Sequence, residues 1–500
     1  MCIHSVPARS SVSSRRMAIV SLVASLGFTW HVSSMGLAGM GLAGDPPSEP
    51  PAVTEALPDL TGIKQDLTEL RGLPFLKDVP AEKQSVKDFG RFLQTELDKT
   101  FPPQRAADMQ AALLRLGMLL ESIDIGDEFR NALLSQAGAY YDPATGKFFY
   151  LMANVSGDML KMIASHELVH AIQDQHFHLG PLMEKLDRTF TEGVRQDDQI
   201  LAVRYLVEGE ATYLQTLWQT ISARGLRDPQ SKSYKQAERT AHLLVRVQGG
   251  LDTAFLVQIN KLAVAFMGDA GDEIAAAINS MDRIPPYILH PLISAYTGGA
   301  VFVMNLEQSG GWEAVSQAYA DLPRSSEQVM HPDKFATRRD EPTLLTLPDM
   351  GYLDDAGWTP IDSAVHGEFY LNLLLRNFGS QPGEAVIATS GWDGDLYRAY
   401  RRGDGRVMFV LATTWDTEKD ARQFFSAYQA ILPTKCQLPR SVEEFRVAPG
   451  EIAYPSGTAA DDTGRLVQRG REVFVVEGAP DDLVTRIMRD LEAAAIEHVD

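Results

Sequence analysis

The sequence predicts a mainly α fold: a helical domain over 60–340 that carries a small β-hairpin, followed by a smaller α+β domain over 341–500. Three observations predict it. Between positions 60 and 306, apolar residues recur at helical spacing in one segment after another. The aromatic runs at 139–151 break that pattern, alternating about a turn that holds Pro143 and Gly146. Beyond about 340, short strand-like runs alternate with helical ones, the texture of a separate α+β unit.

Composition bounds the function. Five hundred residues with 45% hydrophobic and 22% charged side chains are enough for two or three domains with sizeable cores. A formal charge of -20 and no evident basic face exclude a nucleic-acid binder, because phosphate backbones would be repelled. Arg15-Arg16, the apolar run Met17 to Trp30 and the repeated Gly-Leu-Ala-Gly at 36–39 and 41–44 have the three parts of a secretory signal peptide, 1–44. The expected localisation is secreted or periplasmic. An uncleaved N-terminal anchor is the alternative, and no stable membrane span is expected after cleavage. Residues 45–59 read as a Pro-rich linker. Cys2 would leave with the signal, so Cys436 remains as one thiol, read as a small, partly buried residue.

Helices are expected at 60–72, 85–98, 104–121 and 126–137. Ala106 to Leu120 is strongly amphipathic, with Met109, Leu113, Leu116 and Leu119 on its apolar side. The hairpin at 139–151 ends just before the next helix, and its strand edge suits pairing with an extended peptide. Met159 to Gln175 is apolar almost all round and therefore a buried helix. It contains His166-Glu167-Leu168-Val169-His170. Residues four apart share a helix face, so both imidazoles can reach one metal ion, and Glu167 beside them is placed to take a proton from water. His176 and His178 lie past that face and are expected at the surface, with a turn at Gly180-Pro181.

A second buried helix, 198–222, carries Glu208-Gly209-Glu210-Ala211-Thr212-Tyr213. A glycine there costs about 1 kcal/mol of helix propensity and more often marks close packing than accident. Two histidines need one more protein ligand, which Glu208 or Glu210 can supply. They point to nearly opposite sides, and periodicity does not choose, although Glu210 lies nearer the centre of the apolar stripe.

The run His166 to Asp174 resembles the metal helix of thermolysin-like peptidases, and Glu208 to Tyr213 resembles the glutamate helix of zinc aminopeptidases. Both belong to the gluzincin group. The resemblance implies a zincin-like metallopeptidase domain over 60–340, a Zn2+ ion held by His166, His170 and Glu208, and Glu167 as general base. The chain is also similar to a largely uncharacterised bacterial family with a His-Glu-Leu-x-His-Ala-x-Gln-Asp-Gln helix. That similarity runs from Leu70-Arg71-Gly72-Leu73-Pro74-Phe75, through the hairpin and Gly310-Gly311-Trp312, to Trp415-Asp416-Thr417. Two departures stand out. The interval from His170 to Glu208 is long, so extra structure is expected around 177–198. Thr212 stands where thermolysin-like enzymes have an Asp that orients a ligand, with Asp174 or Asp197 as substitutes.

Further along, 235–285 reads as helical and Tyr287 to Leu306 as another helix, containing Tyr296. His331 follows a helix start at Ser325-Ser326. Tyr296 and His331 are the candidate catalytic donors to an oxyanion, beside Glu167. In the C-terminal domain, helices are expected at 364–377, 417–431 and 481–495, and strands at 396–402, 406–414, 451–455 and 472–477. The Asp-rich run at Trp392 reads as a hairpin turn. The expected function is a zinc-dependent hydrolase acting on a peptide or protein substrate. Its rivals are a non-catalytic envelope binding protein with a structural metal site, and a zinc hydrolase of a non-peptide amide.

Overall fold

The computed structural model describes residues 59–136, 138–151, 157–253, 255–258, 281–439, 441–457 and 459–494. The expected signal peptide, nearly all of the linker, and the middle of the expected helical stretch 235–285 lie outside the described residues. The fold is mainly α with a smaller C-terminal sheet region, as the sequence predicts.

In chain order the helices are α1 (Thr61–Arg71), α2 (Val86–Thr100), α3 (Pro103–Leu116) and α4 (Ile125–Gln136), with β1 (Ala81–Lys83) between the first two. The hairpin is β2 (Ala139–Asp142) and β3 (Lys147–Tyr150), and β1 joins β3 in parallel to give the order β1-β3-β2. Strand β2 is therefore an edge. Next come α5 (Gly157–Phe177), α6 (Leu179–Thr191), β4 (Arg195–Gln196), α7 (Asp197–Thr220) and α8 (Lys232–Gly249). Helix α6 is the extra structure expected around 177–198. The turn expected at Gly180-Pro181 falls one residue earlier, at His178 with φ 58, because a proline is accepted in a helix's first turn.

Helix α9 (Pro286–Ala320) is interrupted at Gly310 and Gly311, where the expected helix stops. It is apolar and long enough to cross a membrane, but most of its apolar window is packed inside the protein. Helices α7 and α9 form the centre and run parallel. Tyr287 Oη donates to Asp197 Oδ2 at 3.0 Å near their first turns, and Gly209 meets Gly299 three turns later. A Cβ on Gly209 would stand 2.7 Å from the Gly299 Cα, so both glycines are needed for this approach. The mid-helix glycine does mark close packing.

The C-terminal part holds β5 (Trp358–Val365), α10 (Gly367–Asn377), α11 (Pro382–Thr389), β6 (Trp392–Arg402), β7 (Val407–Trp415), α12 (Glu418–Lys435), β8 (Arg446–Ala448), β9 (Glu451–Pro455), β10 (Asp462–Arg469), β11 (Glu472–Pro480) and α13 (Asp481–Ala493). These strands and β4 form one sheet in the order β4-β5-β6-β7-β11-β10-β9-β8, antiparallel except for the β4/β5 pair. On one face α13 buries Val484, Ile487 and Met488 against Leu396, Met408 and Val476. The opposite face belongs to a core cluster that continues into the helices before 340. Tyr397 Oη donates to the Ala112 carbonyl at 2.7 Å, and Arg401 pairs with Asp108, so α3 is fastened to the sheet. The Asp-rich run at Trp392 is not a hairpin turn but the start of β6. Asp395 accepts from the backbone N–H groups of His366 and Gly367 at the start of α10, and Asp393 Oδ2 accepts from Thr343 Oγ1 at 3.0 Å.

Candidate metal centre

Helix α5 carries His166 and His170 on one face, their ring centroids 4.9 Å apart and nearly perpendicular. Helix α7 packs against it and delivers Glu208, not Glu210. Glu208 Oε2 lies 3.3 Å from His166 Nε2 and 3.6 Å from His170 Nε2, and the three ligand atoms fall within 4.8 Å of one another. Two ligands at about 2.1 Å on a tetrahedral ion stand about 3.4 Å apart, so these separations suit a small divalent cation. The donor set fits as well. Each of the three side chains is about 1% exposed, yet His170 Nε2 and Glu208 Oε1 have no hydrogen-bond partner among the described residues. Buried polar atoms without partners are rare in proteins unless a water or an ion satisfies them.

Electrostatics agree with that use. Burial above all, with His170 beside it, holds His166 below the ordinary imidazole value although Glu208 pulls the other way, which favours the neutral, ligating form. Glu167 is pushed well above the usual carboxylate range by burial first and by the Glu208 charge second, and the Tyr141 N–H opposes the shift. That N–H, on the outer side of β2, donates to Glu167 Oε2 at 3.0 Å, while Oε1 has no partner among the described residues. One carboxylate oxygen is thus fixed and the other available. Tyr296 is also brought in: its ring centroid lies 5.7 Å from that of His166.

The remaining candidates are placed elsewhere. His331 Nε2 is shared between the two oxygens of Glu368, at 3.0 and 3.1 Å, and among the described residues none of its hydrogen bonds reaches the triad. His176 is at the surface on the Pro74 carbonyl, as expected. Asp174 accepts from Tyr141 Oη at 3.0 Å, and Asp197 faces Arg195, Tyr287 and His366, so neither orients a ligand histidine. Thr212 is buried with its hydroxyl unpartnered among the described residues.

The orienting residue is Gln173, which the sequence reading passed over although it lies three residues beyond His170 and so one turn along the same face. Its Oε1 stands 2.7 Å from His170 Nδ1, and its Nε2 donates to the Val207 carbonyl and to Glu210 Oε2. Glu210 in turn pairs with the buried Arg71 and accepts from Tyr319 Oη at 2.6 Å. Arg71 lies 4.8 Å above the Trp312 ring, which explains two conspicuous sequence runs as parts of one support. A second carboxylate group, Glu327, Asp340 and Asp416, is close enough to hold a cation, but Lys334 Nζ occupies its centre at 2.6–2.8 Å from each.

A family model described as a domain of unknown function, DUF8575, matches residues 359–488, the sheet region from β5 to α13, and includes none of the triad. No curated protein and no solved structure matches the chain.

Proposed function

We propose that the protein is a zinc-dependent hydrolase, most naturally a peptidase of gluzincin-like design. The observation that carries this reading is the buried triad His166, His170 and Glu208, with donor separations of 3.3 and 3.6 Å and the Glu167 carboxylate next to one ligand in the chain. A bound zinc ion would supply Lewis-acid chemistry, lowering the pKa of water and polarising an amide carbonyl. The chain's own residues do the rest. Glu167 accepts a proton at Oε1 while Tyr141 holds Oε2, and it then hands that proton to the leaving amine. Its raised proton affinity suits that shuttle. Tyr296, beside His166, is placed to steady developing negative charge. The edge strand β2, whose Tyr141 N–H already faces the site, offers backbone groups for an extended peptide. Export as a secreted or periplasmic enzyme fits the N-terminal sequence.

One observation favours the rival reading of a structural metal in a non-catalytic envelope protein: the triad and Glu167 are all about 1% exposed, so substrate must open a path to them. The test separates the two. Metal content is measured by mass spectrometry on the purified protein and on Glu208→Ala, and a peptide library is screened with Glu167→Gln as control. One zinc per chain, lost in Glu208→Ala, with hydrolysis abolished but zinc retained in Glu167→Gln, supports the hydrolase. Zinc without any hydrolysis across peptides and simple amides supports the structural site, and no zinc after reconstitution sinks both.

A further inference from the structure

The hydrogen-bond chain behind His170 has a direction, and that direction determines which ring nitrogen is free. We infer that Gln173 and Glu210 are positioning residues that lock His170 in the tautomer protonated at Nδ1, so that Nε2 presents its lone pair to a metal before any metal arrives. The inference rests on the reading of the triad as a metal centre.

The argument starts at the end that cannot reverse. The Val207 carbonyl has no proton to give, and it stands 2.8 Å from one terminal atom of the Gln173 side chain. The Glu210 carboxylate stands 2.9 Å from the same atom and is fed from its other side by Arg71 Nε and by Tyr319 Oη. An amide facing two acceptors must turn its NH2 toward them, since the flipped form would set oxygen against oxygen twice. Gln173 Oε1 is thereby left facing His170 Nδ1 at 2.7 Å, and an oxygen there is satisfied by an Nδ1–H donor. A neutral imidazole protonated at Nδ1 has its lone pair at Nε2, the atom 3.6 Å from Glu208 Oε2. All of these groups are buried, so water does not substitute for a missing link. Glu210, the carboxylate nearer the centre of the apolar stripe, therefore serves the site through another residue.

Reversing the polarity tests this better than deleting a residue. Zinc affinity of the full chain is measured by competition with a chelator for wild type, Gln173→Met, Glu210→Gln and the double variant Gln173→Glu/Glu210→Gln. Gln173→Met removes the acceptor, and Glu210→Gln places an NH2 where an acceptor stood. Each is expected to weaken zinc binding by about 10–100-fold, the usual effect of losing a ligand-orienting partner. The double variant restores an acceptor at 173 and a donor at 210, and is expected to regain most of the loss. In parallel, long-range proton–nitrogen NMR on histidine-labelled, metal-free wild type is expected to report His170 protonated at Nδ1. A His170 proton on Nε2 would overturn the inference, as would wild-type affinity in Glu210→Gln or a double variant no better than Glu210→Gln. If wild type binds no zinc, the metal reading falls, while the NMR tautomer still decides the polarity of the chain.

Discussion

Replacing Gly209 by alanine tests the packing that sets the two central helices at their spacing. The new methyl carbon would lie 2.7 Å from the Gly299 Cα and closer still to its carbonyl group. Carbon atoms at rest stand about 3.5–4.0 Å apart, so the two backbones must separate by roughly 1 Å. No rotamer relieves this, because both sides of the contact are main chain. Alanine gains about 1 kcal/mol of helix propensity over glycine. Overpacking a core costs about 1–3 kcal/mol, and a contact between two main chains belongs at or above the top of that range. A net loss of about 2 kcal/mol or more is expected, read from urea unfolding midpoints at unchanged slope. Gly299→Ala, whose methyl would stand 2.9 Å from the Gly209 Cα, is expected to behave alike. Gly62→Ala, exposed and with nothing within 4 Å of the added carbon, is the control and is expected to be neutral or stabilising. Because Glu208 adjoins Gly209, the central pair should also lose zinc affinity. A Gly209→Ala protein as stable as the Gly62→Ala control would refute the reasoning.

Three further outcomes follow from the same structure. Arg71→Met leaves the Glu210 carboxylate buried without its cation, and chemical denaturation should show a loss of about 3–5 kcal/mol; a cost below about 1 kcal/mol would mean the pair is not the support described. Glu368 raises the His331 pKa above its ordinary value, so this pair stabilises the fold fully below the unfolded imidazole pKa of about 6.5 and loses its effect as pH rises through the higher folded value. Wild type should accordingly exceed His331→Gln in stability most at acid pH and converge with it in alkali, and a gap that widens with pH contradicts the assignment. Chelation should lower the thermal midpoint, since a ligand present at a thousand times its dissociation constant adds about 4 kcal/mol. Calorimetry with and without chelator checks it, and Glu208→Ala should show no chelator effect.

What could be read in the sequence was what helical periodicity carries. Helices α5, α7 and α9 are buried on nearly all sides, and their unbroken apolar runs announced them, together with the histidine pair that α5 holds. The strands that escaped notice lack such a signal. Strand β5 begins Trp358-Thr359-Pro360, and its register slips between Pro360 and Asp362. Strand β10, Asp462–Arg469, is mostly polar, and β4 is two residues long. The support behind the site was hidden for another reason. Arg71 and Glu210 are separated by 139 positions, and no local pattern links two charges that meet only when α1 packs against α7. His331 looked like an oxyanion donor because a His-Pro corner near a metal helix has that chemistry, but Glu368, which claims its ring, lies in a segment whose position no spacing predicts.

Strand β4 is the smallest element of the fold, and it sets the order in which the molecule can be completed. Its Arg195 and Gln196 pair with Ala364 and Val365, and Asp197, the first residue of the glutamate helix, faces His366. During synthesis both histidines and Glu208 leave the ribosome long before their helix has anything to anchor its first turn. A chain stopped at 340 would contain every ligand and yet lack that anchor. The metal centre is therefore finished late, when the last third of the polypeptide has folded over it, and hydrolytic capacity is withheld from the nascent chain by topology alone.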